Sequence, residues 1–185
     1  MHSQSGQESA PFELLIAIVI MTFVIVIGFN ALDKLNTETC RGKVNQGLEE
    51  MRTAIEAVVK NKSKANVSYE LPGCFREEDA KLTIIDSDTP AYCSAICGGS
   101  ISSCTVLRFY SPEYSESKCL RISAATSFSV DAGTCNINML EQPEGYGITD
   151  WKKPETGILP GQYTLIRQSN LFSSAPVICA FRRAG

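Results

Sequence analysis

Cysteine is the residue type with the clearest chemistry in this chain, since eight cysteines occur in 185 residues. An even number at this density is typical of proteins outside the cytoplasm, where thiols are oxidised into structural bridges. A zinc site would need tighter cysteine pairs or histidines, whereas Cys93, Cys97 and Cys104 are spaced C-x3-C-x6-C. We therefore predict no metal and no cofactor. We expect disulfides, with the pairing left open, at Cys40, Cys74, Cys93, Cys97, Cys104, Cys119, Cys135 and Cys179.

Other catalytic chemistry has little support in the composition. His2 is the only histidine, so no imidazole can act as the base for a Ser or Cys nucleophile. The carboxylates are scattered, and no spacing singles out an acid/base pair. A formal net charge of −3 gives no general attraction to phosphate backbones. We therefore expect neither an enzyme nor a nucleic-acid-binding protein.

An apolar run near the start of the chain could cross a membrane. Residues 14–29 read LLIAIVIMTFVIVIGF, with Thr22 as the one clearly polar side chain and no charge. With Phe12, Ala31 and Leu32 the run reaches the length that the hydrocarbon core of a bilayer requires. No Lys or Arg precedes it and no small-residue cleavage site follows it, unlike a secretory signal peptide. We predict that about residues 12–32 stay in the mature protein.

Helical periodicity continues beyond this run. Pro11 suits the first helical position, and Glu13 would face the positive end of the helix dipole. Apolar residues then recur at spacings of 4, 3, 4 and 3, at Val44, Leu48, Met51, Ile55 and Val58. We predict one helix over about residues 11–60. Its first half is apolar all round and needs lipid or other helices, whereas its second half is apolar on one stripe and needs a packed domain.

The remainder of the chain has the pattern of a β-rich head, residues 61–185. Short apolar runs lie between Ser, Gly and Pro clusters, at Leu82–Ile85, Thr105–Tyr110, Leu120–Ser123, Phe128–Val130, Tyr163–Arg167 and Val177–Phe181. We predict an α+β fold in which a mainly antiparallel sheet packs one face on the stripe from Val44 to Val58. Cys40 would join the helix to the head. Lys34, Arg41 and Lys43 follow the apolar run, and the positive-inside rule would place this side in the cytoplasm. We nevertheless predict that it lies outside the cytoplasm, because the cysteines are on the same side.

Three loop features accompany the predicted strands. Asn61-Lys62-Ser63 and Asn66-Val67-Ser68 match the N-glycan acceptor pattern. Gly98 and Gly99 are expected to form a tight turn between cysteines. The connection over residues 141–162 is long enough for a binding surface or a disordered segment, although its Tyr146 and Trp151 are expected to fold back against the head.

Residues 6–16, Gly-Gln-Glu-Ser-Ala-Pro-Phe-Glu-Leu-Leu-Ile, together with the apolar helix, resemble the start of type IV pilins. The resemblance is closest to archaeal pilin-like members with short class III, prepilin-type leaders. In that family a peptidase cuts beside a small residue on the cytoplasmic side of the apolar helix, and the freed helices bundle into a filament core. The resemblance implies a leader of residues 1–6, a cut between Gly6 and Gln7, and a mature helical segment over residues 7–60.

The same resemblance implies roles for individual residues. Glu8, Pro11 and Glu13 would lie at the subunit-docking end of the helix, although the family usually has a glutamate where this chain has Pro11. Many pilins close a C-terminal loop with a disulfide, which implies a bridge between Cys135 and Cys179. The filament-core side chains would be Leu14, Leu15, Ile16, Ile18, Val19, Ile20, Phe23, Val24, Ile25, Val26, Ile27 and Phe29.

The resemblance also implies partners and a location. The partners would be copies of the chain in a helical filament, the prepilin peptidase with the pilus assembly machinery, and membrane lipid before assembly. The protein would be a membrane-inserted precursor and then part of an extracellular surface filament. The alternative is an uncleaved, single-pass membrane anchor that carries an extracytoplasmic binding domain.

Overall fold

A computed structural model describes residues 10–60, 63–76, 78–123, 126–129, 135, 144–152, 157–169 and 176–183 of the chain. Its contacts form two compact units, residues 1–40 and residues 41–185. The fold is α+β, as predicted. The helices are α1 (Ala10–Lys60) and α2 (Pro90–Cys97). The strands are β1 (Lys64–Tyr69), β2 (Lys81–Ser87), β3 (Cys104–Tyr110), β4 (Ser115–Leu120), β5 (Ser127–Ser129), β6 (Tyr146–Ile148), β7 (Gly161–Ser169) and β8 (Pro176–Arg183).

Helix α1 confirms the predicted helix of residues 11–60. Glu13 lies in the first turn of α1, as the sequence predicts, and a carboxylate there interacts favourably with the positive end of the helix dipole. The polar Thr22 is accommodated because its hydroxyl donates to the backbone carbonyl oxygens of Ile18 at 2.6 Å and Val19 at 3.0 Å. A hydroxyl bonded in this way adds no unpaired polar group to an apolar surface.

The second half of α1 supplies one wall of the core in the second unit. The predicted stripe is buried, with exposed fractions between 0% and 5%, at Val44, Leu48, Met51, Ile55 and Val58. These side chains form one cluster with residues of both sheets, among them Leu107 of β3 and Leu165 of β7. The prediction that the head packs on this stripe is confirmed. Burial of each such side chain contributes about 1.5 to 3 kcal/mol, so this half of the helix is held by its own chain.

A five-stranded sheet has the order β1-β7-β8-β5, with β6 also paired to β8. Strand β8 is central: β7 covers one edge, and the other edge is divided between β5, which is parallel, and β6, which is antiparallel. Strand β1 pairs with β7 in an antiparallel register from Lys64 opposite Ile166 to Tyr69 opposite Gly161. The sheet is therefore mainly antiparallel, as predicted, with one parallel pair.

A separate three-stranded antiparallel sheet has the order β2-β3-β4. Helix α2 follows β2, and two disulfides, Cys93–Cys104 and Cys97–Cys119, attach this helix to β3 and β4. Gly98 and Gly99, with φ of 73° and 75°, make the turn after α2, which confirms the predicted glycine turn. Because only glycine enters this region of φ without strain, the turn requires these residue types.

The predicted strands correspond to the observed ones in five places and fail in one. The predictions at Leu82–Ile85, Thr105–Tyr110, Tyr163–Arg167 and Val177–Phe181 lie inside β2, β3, β7 and β8, and Phe128–Val130 overlaps β5. The prediction at Leu120–Ser123 is wrong, because β4 ends at Leu120 and uses the polar sequence before it. The prediction of one sheet is also wrong, because the described strands form two separate sheets. Strands β1 and β6 and helix α2 are not among the predicted elements.

Candidate functional site: an uncovered apolar helix and a disulfide-bonded head

The first half of α1 presents an uncovered apolar surface. Every large apolar side chain from Phe12 to Leu35 is exposed, with exposed fractions between 43% and 67%. These include all twelve side chains that the pilin resemblance places in a membrane or filament core. Consecutive residues point in all directions around a helix, and between Leu14 and Phe29 only Thr22 is clearly polar, so this stretch has no polar side that could face water.

This segment is long and apolar enough to cross a membrane, by its length and composition. A helix satisfies its own backbone groups, which is what a spanning segment requires. Each of its large apolar side chains gains about 1.5 to 3 kcal/mol on transfer from water to apolar surroundings. The segment therefore has a strong drive to be covered by lipid or by other apolar helices.

Two of the residues predicted to mark the start of this segment, Pro11 and Glu13, lie in the first turn of α1. Glu13 lies in the first turn of α1, where a carboxylate faces the positive end of the helix dipole. Pro11 also lies in that turn, the position where a missing N–H leaves no helical hydrogen bond unmade. The predicted cut between Gly6 and Gln7, and Glu8, lie outside the described residues.

All eight cysteines lie among the described residues, and all eight are disulfide-bonded. Cys135 pairs with Cys179 across 44 positions of sequence, which confirms the pairing that the pilin resemblance implied. Cys40 and Cys74 are disulfide-bonded as well. Within the described ranges, no group of three or more His, Cys, Asp or Glu side chains could hold a metal ion. Four bridges fit a head that folds in an oxidising compartment.

A groove with a volume of about 360 Å³ lies beside the α2 disulfides. Its charged lining includes Asp86, Asp88 and Arg121. Asp86 already accepts a hydrogen bond from the Thr105 hydroxyl at 2.9 Å and pairs with the Lys152 ammonium group. The Asp86 carboxylate in the groove is therefore engaged in structural contacts with Thr105 and Lys152.

The aromatic residues of the 141–162 connection belong mainly to the core. Trp151 is buried, and its ring meets that of Tyr163 edge to face, with centroids 5.3 Å apart. Burial raises the pKa of Tyr163 to about 12, and its hydroxyl donates to the carbonyl oxygen of Leu159. Tyr146 is half-buried in β6, against the smaller cluster around Cys135. The expectation that both aromatics fold back against the head is confirmed.

The two glycan acceptor asparagines differ in what the structure describes. Asn66 lies on β1 and is exposed, whereas Asn61 lies outside the described residues. Strand β1 is not among the strands predicted from the sequence. Its Ala65, Val67 and Tyr69 nevertheless alternate with polar residues, with the period of two that is typical of a strand. This alternation was the available signal for it.

Comparison with protein-family profiles, with curated proteins and with solved structures found no match to this chain. Its function is therefore inferred from its own residues.

Proposed function

We propose that this chain is a structural subunit of a type IV pilus-like surface filament. In this proposal the precursor is inserted in the membrane, cleaved between Gly6 and Gln7, and assembled with copies of itself through the apolar half of α1. The head, held by its disulfides, is displayed outside the cell. The role is structural and not catalytic, and the assembly machinery and the prepilin peptidase are its transient partners.

One observation carries the proposal: α1 is a single helix whose first half is uncovered on every side and whose second half is built into the core of the head. A subunit that leaves lipid for a filament needs a helix with no polar side, because neighbouring helices then surround it. It also needs a firm attachment between that helix and the displayed domain. Burial of Met51, Ile55 and Val58 at 0% exposure provides this attachment.

A plain single-pass anchor would use the same apolar residues with lipid alone. The start of the helix supports the filament over this alternative. Glu13 places a carboxylate one residue before the apolar run begins at Leu14, and Pro11 defines the helix start close to the predicted cut. In lipid a carboxylate at this depth brings no benefit beyond the helix dipole, whereas between packed subunits it can pair with a neighbour's positive group.

The test is mass spectrometry of the N-terminal peptide of native protein, recovered separately from sheared surface material and from membranes. The filament proposal expects a peptide that begins at Gln7 in the sheared fraction. A matched pair sharpens the test: Gly6→Val enlarges the residue beside the cut and should abolish both cleavage and recovery in the sheared fraction, whereas Ser3→Val should leave both unchanged. An intact Met1 found in membranes alone would overturn the proposal in favour of the uncleaved anchored domain.

A further inference from the structure

Strand β1 has a free edge. It stands at the end of the strand order and pairs, among the described strands, with β7 alone. An open groove of about 630 Å³ runs beside it, lined by β1 residues and by Glu49, Glu50 and Thr53 of α1. An unpaired strand edge is a template for pairing with another chain, so folded proteins normally cover or interrupt such an edge. The described residues show no cover from the protein itself.

The sequence of β1 alternates between the core and the outside. Ala65 and Val67 pack against the main core and Tyr69 is part of it, whereas Lys64, Asn66 and Ser68 are exposed. Because side chains two positions apart in a strand share a face, the Asn and the Ser of the Asn66-Val67-Ser68 pattern lie side by side on the outward face. Asn66 and Ser68 also line the groove beside the free edge.

The two polar atoms of the Asn66 amide have different surroundings. Its Oδ1 accepts a hydrogen bond from the hydroxyl of Thr164, the residue opposite on β7, at 2.9 Å. Among the described residues, no hydrogen bond is made by Nδ2, the atom that N-glycosylation modifies. Thr164 therefore orients the amide through its oxygen and leaves its nitrogen available.

We propose that Asn66 carries an N-linked glycan, and that this glycan covers the free edge of β1. The donor would be a lipid-pyrophosphate-linked oligosaccharide on the outer side of the membrane. The Asn66 Nδ2 forms a bond to the anomeric carbon and loses one proton, while the bond from that carbon to phosphate oxygen breaks and the lipid pyrophosphate leaves with the electron pair. The proposal needs an extracytoplasmic head, which the disulfides support, and it does not depend on filament assembly.

A glycan at this position has a physical task. Its hydroxyl groups can bond to the side chains along the groove, such as Glu50 and Thr53, and its bulk excludes a second strand from the edge. Lys64 at the start of β1 already places a charge at the same edge, which also discourages pairing. A head without the glycan should therefore associate with other heads through β1.

The first experiment maps the modification on native protein. Trypsin cuts after Lys60, Lys62, Lys64 and Arg76, so Asn61 and Asn66 fall in different peptides. After reduction and alkylation, the peptide of residues 65–76 should carry the added mass of a glycan, with fragment ions that place it on Asn66. An unmodified Asn66 in this peptide overturns the proposal, whatever the state of Asn61.

The second experiment uses a matched pair at the exposed Ser68. Ser68→Ala removes the acceptor pattern while Asn66 stays, and Ser68→Thr keeps the pattern. The two variants are purified at full length in detergent, and their masses are measured by light scattering. Ser68→Thr should remain glycosylated and have the mass of the wild type. Ser68→Ala should lose the glycan and form particles of at least twice the wild-type mass. Glycan retained in Ser68→Ala overturns the assignment of the site. Loss of the glycan without self-association overturns its role in covering the edge.

Discussion

The two halves of α1 have the same secondary structure and opposite surroundings. Ile25, in the first half, is 47% exposed, while Ile55, in the second, is fully buried. Both are isoleucines in the interior of one helix, so helix propensity cannot distinguish them. The difference lies in what covers them: the head covers Ile55, and no described residue of the chain covers Ile25 to a comparable degree.

This comparison separates two kinds of hydrophobic stabilisation. Burial around Ile55 stabilises the folded head itself, while burial around Ile25 can only stabilise an association with lipid or with other helices. Substitutions in one half should therefore change unfolding, and substitutions in the other should change association.

Loss of the Cys135–Cys179 bridge should have the largest effect, confined to the head. The bridge spans 44 positions, and a loop of that length corresponds to roughly 4 kcal/mol of unfolding free energy in the chain-entropy account. The Cys135→Ala, Cys179→Ala double variant should show this loss in denaturant unfolding. The Cys93→Ala, Cys104→Ala pair spans 11 positions and should lose less, about 3 kcal/mol. Reduced membrane retention in either variant would break the separation between the two halves.

A charge in the first half should act on association alone. Ile25→Asp makes the free energy of membrane insertion less favourable by about 3 to 4 kcal/mol, for a residue near the centre of a membrane span. The variant should move from the membrane or filament fraction to the soluble fraction. Its head should unfold at the wild-type denaturant concentration, and an altered midpoint would contradict the comparison. Thr22→Val is the control, because it keeps the segment uncharged and should leave the fractions unchanged.

Truncation of the paired isoleucines gives the sharpest comparison. Ile55→Ala deletes fully buried methyl groups and should lower the unfolding free energy of the head by about 3 kcal/mol. Ile25→Ala deletes the same atoms from an exposed side chain and should lower it by less than about 0.5 kcal/mol. Denaturant unfolding of both variants, followed by a signal from the buried Trp151, measures the two values. Equal losses would show that the head extends its packing to the first half.

The smallest effect at neutral pH concerns the buried tyrosines. Burial raises the pKa of Tyr69, and that of Tyr163 to about 12. An unfolded tyrosine releases its proton near pH 10, so the folded head binds more protons between about pH 10 and 12 and loses stability there as the pH rises. Tyr163→Phe should weaken this alkaline loss. Tyr110→Phe, at an exposed tyrosine, should leave the profile unchanged, and an unchanged profile in both variants would refute the assignment.

Helix α1 could be predicted from the sequence because its signals are local. The apolar run and the stripe from Val44 to Val58 have helical periodicity, and the helix begins where Pro11 and Glu13 indicate. Strands β2, β3, β7 and β8 also carry strong local patterns. Their apolar residues face the core on alternate positions or in continuous buried runs, as in the six consecutive residues of β8 from Pro176 to Phe181 that are half-buried or buried.

Strand β4 and helix α2 have weak local patterns and depend on contacts with other elements. Strand β4 reads SESKCL and is recognised through its pairing with β3, not through its own residue types. Helix α2 contains few strong helix formers, and the bridges at Cys93 and Cys97 hold it in place. The acceptor pattern at Asn66 was visible, but its position on a free edge was not, since strand order is set by long-range pairing with β7.

The central position of β8 has a consequence for biosynthesis. This strand, residues 176–183, follows every other described strand in the sequence, yet β5, β6 and β7 all pair with it. Strand β1 must likewise wait for β7, about a hundred residues later. The five-stranded sheet therefore cannot be completed before β8 has been synthesised, and the earlier strands keep an open edge until then. Until β8 closes the sheet, these open strand edges are exposed to misassembly, as unpaired edges are in any partly folded chain.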